Sequence, residues 1–330
     1  MTPRAARVTG RAAPPTSADA ASAAAVERVV SQLGAQVEIE LLRARIIRWL
    51  REVDEELREP LEWTFAGTQK HFRPLTLFAC HRAVGAPEPT GQVVELAFVI
   101  ELIHNMSLII DDILDESAER RGIATIHAKF GRLPAMMASG YLVADAYTAV
   151  AGDPFAVVHI SELVRRLGSA ECLQWRLRRQ PLGVEDWRRI AGEDTGSMFE
   201  VCAVLGARSQ RLRQYGHLLG VLYHGCDDVG DQRGLAALGG GGEEDIRDGI
   251  LTLPAALAIR DPAIRRLFCT DDDDPRRFAT VAAACREQLD AAEGVLDRIA
   301  EAARDEAEQF AADPQPLLAL VDHVRHLSQR

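Results

Sequence analysis

Two short acidic clusters carry the residue types and spacing best able to do chemistry. In His104-Asn-Met-Ser-Leu-Ile-Ile-Asp-Asp-Ile-Leu-Asp115, residues Asp111, Asp112 and Asp115 stand at i, i+1 and i+4. In Gly225-Cys-Asp-Asp-Val-Gly-Asp231, residues Asp227, Asp228 and Asp231 repeat that spacing. On a helix the first and last member of each set share one face, a turn apart. Carboxylates that close repel unless a cation sits between them, and oxygen ligands suit a hard divalent ion such as Mg²⁺. A single cluster of this kind on an exposed helix usually marks a solvated face. Here the first is flanked by Leu108, Ile109, Ile110, Ile113 and Leu114, and the second follows Leu218, Leu219, Val221 and Leu222. Acids embedded in apolar helices are costly without a partner. Two copies in the same context point to helix ends that face each other and cage several Mg²⁺ ions. Such ions would hold a diphosphate by its oxygens and neutralise its charge as it leaves.

Cationic residues accompany the clusters. Glu119-Arg-Arg-Gly122 follows the first, and Arg120 and Arg121 can fork onto phosphate oxygens. Lys70-His-Phe-Arg-Pro74 opens another helix. Taken singly, Lys70 and Arg73 read as surface charges and His104 as a hydrogen-bonded helix histidine; their weight comes from the set. Two other features read as plain structure. Asp271 to Asp274 precede a proline and are expected to form a solvated turn and helix N-cap. The run Gly239–Gly242 has neither a strand before it nor a GK[ST] ending, so a flexible loop is expected rather than a phosphate cradle.

Helices must position these groups. Helical apolar periodicity runs from Val26 to Leu50 and through 91–115, 134–151, 184–206, 209–231 and 276–304, with almost no strand-like alternation. Breakers separate the stripes, among them Gly152-Asp-Pro, Pro181-Leu-Gly, Asp261-Pro, Asp274-Pro and Asp313-Pro. No composition shift or repeat divides the chain. The expected fold is all-α: a disordered Ala-rich tail over 1–24, then one helical domain over 25–330, bundled around a central cavity. The 330 residues are 47% apolar, enough for a substantial core. A net charge of −11 without a basic face argues against nucleic acid or anionic membrane as partner. An acidic protein that binds an anion needs metal ions or inward-facing Arg and Lys to reverse the field. Six cysteines without a CxxC pair suggest reduced thiols and a cytoplasmic location. No apolar run approaches about 18 residues, so no membrane span is expected. The first 24 residues lack the apolar core of a secretory signal and only faintly suggest a transit peptide.

Over roughly residues 40–310 the sequence resembles the trans-prenyl (isoprenyl) diphosphate synthases. Five ordered matches carry the resemblance: the two aspartate regions, Lys70-His-Phe-Arg-Pro74, the stretch from Asp194-Thr-Gly to Leu-Gly-Ala207, and Asp245-Ile-Arg-Asp-Gly-Ile-Leu-Thr-Leu-Pro254. The resemblance implies Mg²⁺ and two substrates, isopentenyl diphosphate and an allylic prenyl diphosphate, joined by ionisation, condensation and elimination. It implies that Lys70, Arg73, His104 and Arg121 hold the diphosphate of isopentenyl diphosphate. Asp111, Asp115 and Asp227 would bind Mg²⁺ against the allylic diphosphate, helped by Arg120 and Thr195. Asp112, Asp228 and Asp231 would support them through water or hydrogen bonds. A homodimer is implied as well.

Several positions depart from the family pattern. Asp194 and Ile250 stand where the family has lysines, His224 where it has glutamine, His71 where it has arginine, and Gly140 where it has aspartate. Placing Asp beside a phosphate reverses a charge worth roughly 4 kcal/mol at about 4 Å and an effective dielectric of about 20. Arg247 is expected to substitute for one lost cation. The departures keep two alternatives open: a divergent relative that cyclises a prenyl diphosphate or prenylates another acceptor, and a non-catalytic partner subunit of a heteromeric synthase. In the family, the residues four and five before the first cluster line the pocket floor. Here they are Ser107 and Met106 rather than an aromatic pair, which points to a geranylgeranyl-length product.

Overall fold

The computed structural model describes residues 27–66, 70–85, 91–120, 122–234 and 242–329, with side chains described from Asp245 onwards in the last of these stretches. The expected tail over 1–24 and the run Gly239–Gly241 lie outside the described residues. The architecture is all-α, as expected. The one departure among the described residues is a minimal hairpin, in which Glu119–Arg120 pairs antiparallel with Ile123–Ala124.

The first aspartate helix, Gly91–Leu114, is the spine of the bundle. It packs on Arg132–Ala149, Phe72–Ala83 and Gln36–Glu52. By length and composition alone it is apolar enough to cross a bilayer, which corrects the expectation that no stretch approaches that length. However, 78% of its apolar window is buried inside the bundle, and it carries buried Glu101, His104, Asn105 and Asp112. It is therefore built as a core helix. The second aspartate helix, Arg213–Gln232, packs on Ser197–Ala207 and on Leu289–Phe310.

Local chemistry sets the element ends. Asp153, Thr252, Asp261 and Asp274 each accept a backbone N–H of the helix that follows, with proline in its first turn. The acidic run at 271–274 thus acts as an N-cap, with Asp272 also bound by Arg277 (2.7 Å). The periodicity over 184–206 hides a break. Val184–Ala191 and Ser197–Ala207 are joined by one π-helical turn, Gly192–Gly196, which carries Asp194 and Thr195. A π turn widens the ladder by one residue and shifts the side chains that face the core, a device common at functional sites. Where Ser197–Ala207 crosses Phe72–Ala83, a Cβ on Gly206 would stand 2.2 Å from the Leu77 carbonyl oxygen, so the crossing requires glycine.

Candidate active site

Both clusters open on one cavity. A space of about 220 Å³ is lined by Asp115 from the first aspartate helix and by Asp227, Asp228 and Asp231 from the second. Asp194 from the π turn and Asp245 join them, so carboxylates come from four separate segments. Leu177, Ile190, Ile250 and Leu251 give the wall its apolar part, and His224 is its one basic side chain among the described residues. Asp111, one turn before Asp115, does not line this space itself, but the charge on Asp194 acts on it.

Crowding and burial raise the proton affinity of these acids. Burial pushes the Asp111 carboxyl well above its ordinary value, and Asp194, Glu171 and Asp115 push it further, against Arg120. Burial, then Asp231, raise Asp227 to about 7, against the pull of Lys70. Asp245 is raised well above its ordinary value by burial and by Asp228, Asp231 and Asp227. Asp112 and Asp228 are raised too, mainly by burial. Carboxylates that raise one another in this way gain by binding cations.

The acids differ in how they are tied. Asp228 is fixed: its Oδ2 accepts from the Trp187 indole N–H (2.8 Å) and from the Leu253 backbone N–H (2.8 Å). Asp112 accepts from Arg120 Nε at 2.7 Å, and Asp115 accepts from Arg178 Nη2 at 2.8 Å. Asp227 Oδ1, by contrast, is buried with no hydrogen-bond partner among the described residues. A buried carboxylate oxygen without a donor is costly, and a divalent cation relieves it. Among the described residues no three Asp, Glu, His or Cys side chains converge on a single point as a ready cage. Spread carboxylates suit Mg²⁺, which keeps several waters and binds through one or two carboxylates plus substrate phosphates. The donor set therefore fits Mg²⁺, with Asp111, Asp115 and Asp227 as the residues that would hold it.

The cationic set lies beside these acids. Lys70 is close enough to act on Asp227. Arg73 Nη1 is 3.2 Å from His104 Nε2, so these two are brought together. Arg120 leans on Asp112, and Arg121 lies outside the described residues. His71 is buried, and burial with the nearby Arg43 lowers its pKa to about 4, so a neutral ring stands there. Thr195 Oγ1 lies 3.1 Å from Asp194 Oδ2 and 2.9 Å from His224 Nδ1. Burial alone would raise Asp194, but bonding to His224 and Thr195 holds its carboxyl below the ordinary range. Burial works against charge on His224, yet Asp228, Asp194 and Asp227 outweigh it and hold the ring at about 9. The two departures thus answer each other as a paired anion and cation. Arg247 does not fill the role expected of it: it is exposed and does not line the cavity.

Residues 54–285, well over half of the chain, match the family model for polyprenyl synthetases. The chain belongs to the polyprenyl synthetase family. It is accordingly a prenyltransferase of the trans-prenyl diphosphate synthase type. A nonaprenyl diphosphate synthase of Mycobacterium tuberculosis is 30% identical over 332 residues, covering 93% of this chain and 94% of its own. A mitochondrial geranylgeranyl pyrophosphate synthase of Arabidopsis thaliana is 30% identical over 235 residues, 64% of this chain and 68% of its own. Among solved structures, a Caulobacter crescentus polyprenyl synthase complexed with calcium and isoprenyl diphosphate superposes with a TM-score of 0.81 at 24% identity, covering 92% of this chain and 98% of that one. A Staphylococcus aureus heptaprenyl diphosphate synthase does so at 0.80 and 21%, covering 89% and 97%. At those identities the structural likeness speaks to the fold.

Two contributors to the site, Trp187 and Arg178, carried no signal of their own in the sequence and reach it only through long-range folding. Asp245 belonged to a recognisable element, yet nothing local showed that it lines the same space as the second cluster.

Proposed function

We propose that this synthase condenses isopentenyl diphosphate with an allylic diphosphate by ionisation, condensation and elimination. The observation that carries the proposal is the shared cavity, in which Asp115 of one helix and Asp227, Asp228 and Asp231 of another line the same space. Asp111, Asp115 and Asp227 would hold Mg²⁺, which would supply positive charge to a departing diphosphate. The chain does the rest. Asp228, held by Trp187 and Leu253, keeps the second aspartate helix in register with the segment after it. Lys70, Arg73 and His104 hold the acceptor's diphosphate, and Thr195 sits where it can shift from Asp194 and His224 to the allylic diphosphate. The apolar wall of Leu177, Ile190, Ile250 and Leu251 keeps water from an allylic cation.

Finer properties follow from the same groups. Met106 is buried and Ser107 bonds back to the His104 carbonyl (2.9 Å), so neither of the two positions before the first cluster presents an aromatic ring. We place the product at geranylgeranyl length on that basis. Leu133, Met136 and Met137 stand exposed at helical spacing on Arg132–Ala149, a face suited to a second copy in a homodimer. All six cysteines are free, in keeping with a cytoplasmic enzyme.

One observation favours a second possibility. The Asp194–His224 pair replaces part of the cationic lining with a neutralised bridge, which suits a relative that cyclises its substrate or prenylates another acceptor. Incubation with Mg²⁺, isopentenyl diphosphate and a series of allylic primers, followed by mass analysis, separates the two. Elongated diphosphates support the synthase. Hydrocarbons or alcohols formed equally well without isopentenyl diphosphate support the alternative.

A further inference from the structure

Arg178 belongs to none of the motifs, yet it stands on the first aspartate cluster. It follows the last turn of helix Pro154–Leu177 and donates from Nη2 to Asp115 Oδ1 at 2.8 Å. Its side chain is only 17% exposed, and its guanidinium lies 4.2 Å from the Trp175 ring centroid. The Nε of Arg178 is buried with no acceptor among the described residues. That donor has capacity the resting arrangement does not use.

The next residue anchors this position. Arg179 holds a left-handed backbone, φ +57°, which a non-glycine residue adopts when its surroundings impose it. Its N–H donates to the Gly249 carbonyl (2.9 Å) and its Nη2 to the Arg247 carbonyl (2.7 Å). A Cβ on Gly249 would meet Arg179 Cγ at 2.4 Å, so the two backbones touch. The segment that carries Asp245 is thereby clamped to the helix end that carries Arg178.

A guanidinium and a divalent ion cannot both sit on Asp115 without repelling each other. When the ion takes the carboxylate, Arg178 must let go, and its anchored backbone keeps it beside the cavity. Its fork then matches phosphate oxygens, in a cavity whose lining otherwise offers only His224 as a basic side chain among the described residues. We propose that Arg178 is an exchangeable cation of this site, paired with Asp115 before metal binds and transferred to the allylic diphosphate afterwards. The proposal rests on the diphosphate chemistry given above and adds to it a residue that the motifs do not mark.

The test uses the full-length protein with Arg178→Gln and Arg178→Lys, each checked by thermal melting. Mn²⁺ is titrated calorimetrically without substrate, then inorganic pyrophosphate is titrated at saturating Mg²⁺, and KM is measured for both substrates. Arg178→Gln is expected to bind Mn²⁺ several-fold more tightly, because a competing cation is gone. It is expected to bind pyrophosphate about 10-fold more weakly, the loss of one charge-assisted contact. KM for the allylic diphosphate rises and KM for isopentenyl diphosphate does not. Arg178→Lys keeps the charge and loses the fork, so its Mn²⁺ affinity stays near wild type while pyrophosphate binding weakens. Unchanged or weaker Mn²⁺ binding by Arg178→Gln, or an equal rise in both KM values, overturns the proposal. If Arg178→Gln does not fold, unweakened pyrophosphate binding by Arg178→Lys overturns it instead. Wild-type protein that binds Mn²⁺ and pyrophosphate but elongates no primer refutes the synthase activity, and the binding titrations still decide the role of Arg178.

Discussion

Replacing Glu200 with glutamine tests the frame that holds the π turn in place. Glu200 sits on Ser197–Ala207 and is 5% exposed. Two guanidinium groups and an imidazole from two other helices converge on it. Arg166 Nη1 donates to Oε1 at 2.9 Å, Arg213 Nη2 lies 2.5 Å from the same oxygen, and His217 Nδ1 is 3.5 Å from Oε2. Arg166 also reaches Glu193 in the π turn itself (2.9 Å). Burial alone would raise the Glu200 carboxyl, but His217, Arg166 and Arg213 reverse it and hold the pKa down from 4.5 to about 2. That depression corresponds to ~3 kcal/mol of stability at neutral pH. The sign follows from the direction. A carboxyl with a depressed folded-state pKa contributes fully above its unfolded value, and the contribution fades as pH falls through the folded value. Denaturant unfolding of wild type and Glu200→Gln should therefore differ by about 3 kcal/mol at pH 7. The gap should narrow steadily from about pH 4.5 towards pH 2, since titration of the other acids largely cancels in the difference. A gap under about 1 kcal/mol at pH 7, or one that stays constant down to pH 3, refutes the assigned coupling.

Other substitutions probe the site and its frame separately. Trp187→Phe removes the indole donor from buried Asp228 and should cost about 1–3 kcal/mol, read by denaturant unfolding. A loss under about 0.5 kcal/mol contradicts the fixing role given to that bond. Gly206→Ala places a Cβ 2.2 Å from the Leu77 carbonyl oxygen and should lower the melting temperature sharply; an unchanged melt means the helix crossing is not as close as described. Asp194→Asn removes one of the carboxylates that hold His224 at about 9, so the imidazole pKa should fall, as followed by NMR of the ring. The stability that the charged ring contributes, present below pH 6.5 and lost as pH rises through about 9, should shrink with it. A His224 pKa that does not move contradicts the pairing.

The parts of this site that could be read from the sequence are those whose geometry is local. Asp111, Asp115, Asp227 and Asp231 announce themselves because helical spacing alone puts each pair on one face, and apolar neighbours make their charge conspicuous. The helices follow from the same periodicity, and the capping role of Asp274 follows from the proline after it. What escaped was set by long-range packing. The stripe over 184–206 reads as one helix because apolar residues resume in helical spacing after Gly192–Gly196, and a polar interval of that length does not by itself signal a π turn. Trp187 reads as an ordinary core residue until the fold puts its N–H on Asp228, forty-one positions away in the chain. Arg178 lies in the run Arg176-Leu-Arg-Arg179, where nothing local separates a site residue from a surface charge. The departures at Asp194 and His224 were visible as single positions, but their mutual pairing depends on two segments meeting. Arg247 was a reasonable candidate by helical spacing and fails because its own side chain is exposed while Asp245 and Ile246 of the same turn face inward.

The central claim is that acids from two helices act together on one diphosphate through shared divalent ions. A crystal structure with Mg²⁺ and an unreactive allylic diphosphate analogue tests it most directly. The account predicts ions ligated by Asp111 or Asp115 on one side and Asp227 on the other, all touching the same diphosphate. Ions or diphosphate bound to one cluster alone, with the other left facing solvent, would contradict it.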